Sequence, residues 1–279
     1  MDIRRVGGLP RVLILGTAVA LIATTSLVAL PASTSARPQS GALWLIFLDD
    51  LHVDFKSTGY LRTLLKTICT NLVQDGDLVA VVSTGSSSIA IDPTYDRTRI
   101  LNGIEKAIGT ALALPDIFRS SQSVSGQPNE LTYRIAVSVS TAFDVVQGLA
   151  QVKNLRKAFI YVSSGYYVDL PDGTPTESGG PPLTRPNLKN VSVASVRDDL
   201  FRLMAAAKRS DLKVFAIDTR RLGNSALPDS SSDIIWWQNY WATSRNSLRA
   251  ISERTGGFAI LEEQDLAEGL KRINSTVRN

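Results

Sequence analysis

The stretch Ala42–Asp49, ALWLIFLD, is seven consecutive apolar residues closed by a carboxylate. Seven residues suit a strand and fall short of an ordinary helix, and a run without polar alternate positions has no face to give to water. It predicts a strand buried on both sides, in the middle of a parallel sheet, with Leu45 and Phe47 in the core. The same pattern recurs at LVAVVST (Leu78–Thr84), AFIYVS (Ala158–Ser163) and LKVFAID (Leu212–Asp218). Between the first two, TGYLRTLLKTICTNLVQ sets Leu61, Leu64, Leu65, Ile68, Leu72 and Val73 at helical spacing, the strand–helix–strand unit that builds parallel sheets.

Working outward, SSSIAIDP (Ser86–Pro93) lies one short turn beyond Thr84 and predicts an antiparallel edge strand that Pro93 ends. Helices are predicted over Asp96–Ile108, Leu131–Val152, Val193–Arg209, Ser247–Thr255 and Asp265–Ile273, with a last strand at GFAIL (Gly257–Leu261). Residues 113–130 and 222–241 read as loops. The class is α/β: a doubly wound, mostly parallel sheet with one antiparallel edge strand and helices on both faces, a single domain over 42–279. Ligands of such sheets bind at the carboxyl ends of the strands.

Residues 1–36 are of another kind. Arg4, Arg5 and Arg11 precede an uncharged stretch, Val12–Leu30, followed by Pro31 and small residues up to Ala36. That is the layout of a secretory signal with a cleavage option after Ala36, and its length also suits an uncleaved anchor. Both options place the folded part outside the cytoplasm, behind a linker at 37–41, and membrane contact is expected only through residues 12–30 if uncleaved. Without residues 1–36 the chain keeps 27 basic and 25 acidic residues, too even a balance to argue for nucleic acid. The one cysteine, Cys69, falls on the apolar face of the first helix and reads as a small core residue.

The segments LIFLDDLH at the first strand, RKAFIYVSSG (Arg156–Gly165), LKVFAIDTR (Leu212–Arg220) and SLRAISERTGGFAILEEQDLAEGLKRI (Ser247–Ile273) together resemble von Willebrand factor type A domains. The resemblance implies a Rossmann-like fold that binds other proteins, and a metal-ion-dependent adhesion site made of a D-x-S-x-S run, a distant threonine and a second aspartate. Two hydroxyls, a threonine and carboxylates give Mg²⁺ its hard oxygen shell. Here Asp49 matches the first position, Leu51 and Val53 replace the two serines, Thr132 is the candidate threonine, and Ser164 stands where the second aspartate is expected. One carboxylate and few hydroxyls are too little charge to strip water from Mg²⁺, so the expectation is a degenerate site with no cofactor.

Two alternatives stay open. Asp50, His52 and Asp54 form D-x-H-x-D, which in an extended segment would turn three ligands to one side, a weak set for Zn²⁺ or Mn²⁺. Asp49, His52 and Ser164 supply the side-chain types of a hydrolase triad, although no G-x-S-x-G turn surrounds the serine. A binding role, with another protein as partner and no catalysis, is the primary expectation. Its candidate anchors are the aromatic residues at the carboxyl edge, Tyr166, Tyr167, Trp236, Trp237, Tyr240 and Trp241, which either face a partner or pack back over the core.

Overall fold

The computed structural model describes residues 41–121, 129–170, 185–186, 188, 191–220 and 231–279. The predicted signal or anchor, residues 1–36, and most of the Pro/Gly-rich stretch 169–187 lie outside these.

Six strands form one sheet in the order β3-β2-β1-β4-β5-β6. They are β1 (Ala42–Leu48), β2 (Leu78–Ser83), β3 (Ala90–Thr94), β4 (Arg156–Ser163), β5 (Lys213–Asp218) and β6 (Ala259–Ile260). All neighbours pair in parallel except β2 and β3, whose antiparallel register shifts between Val79 and Val81. The α/β class, the central place of β1 and the antiparallel edge therefore agree with the sequence. Leu45 and Phe47 are both buried. β3 differs in detail: it begins at Ala90 and runs through Pro93 to Thr94, which an edge strand permits because the missing N–H can lie on the unpaired side.

Alternation along β1 divides the interior into two layers. Leu43, Leu45 and Phe47 face α4 (Glu130–Ala150), α5 (Val193–Arg209) and α6 (Ser231–Glu253), meeting Val139, Phe143, Leu203, Trp237 and Leu248. Trp44, Ile46 and Leu48 face α1 (Thr58–Leu72), α2 (Arg97–Ile104) and α7 (Leu266–Arg278), meeting Leu61, Leu65, Ile68, Ile104 and Ile273. Cys69 is buried in this second layer, and burial pushes its thiol pKa up to about 12, so it is a core residue with no thiolate character.

Two segments depart from prediction. Leu114–Ser121, expected in a loop, forms α3. Ser231–Glu253 is one helix of 23 residues, so the aromatic part of the predicted loop is helical, while its first part, 222–230, lies outside the described residues. Ile234, Trp237, Trp241, Ser244, Leu248 and Ile251 recur three and four apart, and that stripe holds it to the sheet.

At the amino-terminal edge, Asp77 closes the turn before β2. Its carboxylate accepts from Ala42 N (2.8 Å), Trp44 Nε1 (3.0 Å), Gln74 N (2.8 Å) and Arg278 Nη2 (2.6 Å), so one buried side chain ties β1 to the end of α7.

Candidate functional site

The winding direction of the sheet reverses between β1 and β4, and the carboxyl ends of these neighbours open the crevice where such folds bind ligands. Asp49 follows β1 at that point, completely buried. Its Oδ1 accepts from Ser138 Oγ of α4 (2.7 Å) and lies 2.9 Å from His52 Nδ1 and 3.3 Å from Thr84 Oγ1, while Oδ2 accepts from Ser163 Oγ at the end of β4 (2.7 Å). An ionised carboxylate only accepts, so Nδ1 of His52 carries the proton between them. Burial by itself would raise the Asp49 pKa, but the His52 imidazole and the Ser138 and Ser163 hydroxyls outweigh it and hold the group below the ordinary carboxylate range.

Asp50 serves the neighbouring turn, accepting from Thr84 N (3.1 Å), Thr84 Oγ1 (2.9 Å) and Ser87 N (2.8 Å). Asp50–His52 is a single 3₁₀ turn, not the extended segment that D-x-H-x-D required. Asp50 therefore turns to β2, His52 to Asp49, and Asp54 is exposed, accepting from Lys56 N (3.0 Å). Among the described residues no group of three or more His, Cys, Asp and Glu side chains is placed to hold a metal ion.

The candidate threonine, and the serine in the second aspartate's place, are also engaged elsewhere. Thr132 sits in the first turn of α4, its hydroxyl donating to Asn129 Oδ1 (2.9 Å); Ser138, almost two turns on, is the α4 residue that reaches Asp49. Ser164 shares a hydrogen bond with Thr219 Oγ1 (2.7 Å) and makes none with His52. Asp218, at the end of β5, is bound by Arg220 (Nη2–Oδ2 2.8 Å) and Arg245 (3.3 Å). Leu51 and Val53 offer no side-chain oxygen, both oxygens of Asp49 already accept internal hydrogen bonds, and Asp218 is paired with two arginines. Of the proposed triad the structure joins Asp49 and His52 and leaves Ser164 apart. His52 Nε2 is buried and without a partner among the described residues.

The aromatic candidates divide. Tyr166 and Trp237 are buried, at 0% and 2% exposure, and so follow the second of the two alternatives, packing back over the core. Tyr166 is held down by its hydroxyl bond to Tyr161 and lies edge-on to His52 (5.0 Å), and burial followed by the Asp49 charge raises its pKa well above the usual phenol value. Tyr167, Trp236, Tyr240 and Trp241 are half-buried. Tyr167 lies 5.2 Å from Tyr240, Trp236 stacks on Tyr240 at 5.3 Å, and Phe118 of α3 meets Trp236 edge-on at 5.2 Å.

Sequence reasoning missed a different apolar set. Helices that precede parallel strands begin at the carboxyl rim, so the first turns of α4, α5 and α6 share it with the segments that leave β1. Phe55 is 65% exposed and Ile235 71%, and Leu114, Tyr133 and Val193 join them there. Of the seven large apolar side chains most exposed among the described residues, only Tyr95 and Leu101 lie elsewhere. An isolated apolar residue such as Phe55 bears no periodic signal, so only the fold reveals that these five share a rim.

Gly165 fixes how closely this rim is built. It has φ of +75°, and a β-carbon there would overlap the Ser244 carbonyl of α6, beside the bond from Tyr166 N to Ser247 Oγ (2.8 Å). Gly165→Ala is expected to destabilise by about 2–3 kcal/mol, from left-handed strain plus overpacking. Thermal melting checks this, and an unchanged Tm would show that α6 can yield.

The chain matches no protein-family model and no curated protein sequence. A solved structure, the human COPII-coat protein Sec24c, superposes at a TM-score of 0.33 and 13% identity, over 86% of this chain and 32% of that one. The chain thus spans about a third of the length of that protein, and a superposition of this quality transfers neither fold nor function from one to the other.

Proposed function

We propose that this chain is a von Willebrand factor A-like protein-binding module, working outside the cytoplasm, that holds its partner at the carboxyl rim without a metal ion. The observation that supports this is that Phe55, Leu114, Tyr133, Val193 and Ile235, all exposed, stand on segments that begin at the carboxyl rim. Exposed apolar side chains grouped beside half-buried aromatics are what a protein interface uses at its centre. In a metal-dependent domain of this kind the ion would fix the partner's carboxylate; here both oxygens of Asp49 are engaged by internal donors, so apolar contact is left to supply the affinity.

The test is capture from envelope extract by wild type, by Phe55→Asp/Ile235→Asp, and by Leu101→Asp as an exposed apolar control away from the rim. A protein recovered by wild type and the control, and at least about tenfold less by the rim variant, is the expected result, since two anchors at 1–2 kcal/mol each exceed that factor. Equal recovery by all three would remove the rim from the reading. The unpartnered Nε2 of His52 favours one rival, a hydrolase. Turnover of an ester substrate that disappears in Ser164→Ala would replace binding with catalysis.

A further inference from the structure

The opposite edge of the sheet has a separate character. β4 and β5 start there, and the turns leading into them bring six cations together: Lys153, Arg156 and Lys157 before and within β4, Lys208, Arg209 and Lys213 around the end of α5. Asp211 is the only acidic residue in either turn. None of the six has an ion-pair partner among the described residues, whereas nearby Arg278 is bound to Asp77 and Arg97 to Asp75. Residues 41–279 hold 26 basic and 25 acidic residues in all. Concentrating an excess of five here leaves the remainder of that surface acidic, a separation that composition hides.

Part of this charge has a structural use. Lys157 Nζ donates to the Leu149 and Val152 carbonyls (3.3 and 3.1 Å), answering the end of α4. The end of α5 takes about half a charge more, and Asp211 one. Lys153, Arg156, Lys208, Arg209 and Lys213 still exceed these. Between the two turns lies an open pocket of about 470 Å³, lined by Lys153, Arg156, Lys157 and Lys213 against the single carboxylate of Asp211. Ammonium and guanidinium groups in this excess, in a cavity open to solvent, suit a phosphate group.

We propose that this amino-terminal rim binds the phosphate headgroups of an anionic membrane surface. The spread of the charge favours lipid over a free phosphate ester: Lys208 and Arg209 extend the cationic rim beyond the pocket, which matches a surface of many headgroups where a single ester would fill the pocket alone. Each cation at an anionic surface adds about fivefold to the binding constant, and the carboxyl rim stays free for its partner.

The experiment uses the full chain in lipid nanodiscs made of phosphatidylcholine alone or with about 30% phosphatidylglycerol, and follows acylation of individual lysines by mass spectrometry. Lys153, Lys208 and Lys213 are expected to react about fivefold more slowly in the anionic discs at low salt, with Lys56 and Lys106 unchanged. High salt, which shortens the screening length to a few ångströms, should abolish the difference. Arg156→Glu/Arg209→Glu should release the remaining lysines. Equal rates in both lipids, or protection that survives this double substitution, would overturn the proposal. Glycerol phosphate that protects the same lysines in phosphatidylcholine discs would assign the pocket to a soluble phosphate ester and overturn the lipid assignment. None of these readouts depends on capture at the carboxyl rim, so the two readings fail separately.

Discussion

Asp49→Ala is expected to lower folding stability by about 3–5 kcal/mol, the cost of removing one member of a buried charged network. The loss is large because four donors converge on this carboxylate from separate elements: His52, Ser138 of α4, Thr84 beyond β2 and Ser163 of β4. His52, Ser138 and Ser163 would remain buried with these hydrogen bonds unmade, whereas Thr84 keeps its bond to Asp50. Denaturant unfolding would measure it, and for a domain of this size the melting temperature should fall by roughly 10 °C. A change below about 1 kcal/mol would mean that water replaces the carboxylate and that the hub is not structural. The same group sets an acid limit. Its pKa is lowered on folding, so its contribution is complete above the unfolded value of 3.8 and is lost as pH falls through the lower folded value. Asp49→Asn should flatten that part of the stability profile.

Asp77→Ala is expected to cost about 3 kcal/mol through a second buried network at the opposite edge. Its carboxylate gathers the start of β1, the Trp44 indole and the Arg278 guanidinium. Its pKa is also lowered: burial opposes ionisation, and Arg278 with the Ala42, Gln74 and Trp44 donors more than offsets this. The acid sensitivity therefore has the same sign as that of Asp49. Because Arg278 ends α7, hydrogen exchange in residues 266–278 should accelerate more than elsewhere. A double-mutant cycle with Arg278→Ala separates the ion pair from the other bonds, with an expected coupling of about 1–2 kcal/mol. Uniform acceleration over the chain would show that α7 is not latched by this pair.

The architecture was legible because the buried strands are uninterrupted apolar runs, and such runs have few other uses. ALWLIFLD could hardly be placed anywhere but the centre of a parallel sheet. The aromatic helix was missed although its stripe was present: Trp237, Trp241, Ser244, Leu248 and Ile251 keep helical spacing, but the serines and the dense tryptophan suggested a surface loop. The hub was half legible. Asp49 stood out as the carboxylate ending the first strand, whereas Ser138 lies 89 residues away and Ser163 114, with no local pattern to connect them. One clue existed, since Ser138 is a polar residue on the otherwise apolar face of Ile135, Val139 and Phe143. The D-x-H-x-D reading failed for a local reason: it assumed extended backbone where the chain makes a 3₁₀ turn, which sends Asp50 and His52 to different partners.

The two lateral borders of the sheet bear on how the protein behaves when concentrated. One border is β3, five residues long, with a register shift against its neighbour and Pro93 in place of a donor. The other, β6, has only two residues. Growth of a sheet from molecule to molecule needs a straight, regular ladder of free amides and carbonyls. Among the described residues neither border offers one, so joining of copies through the edges of this sheet is disfavoured.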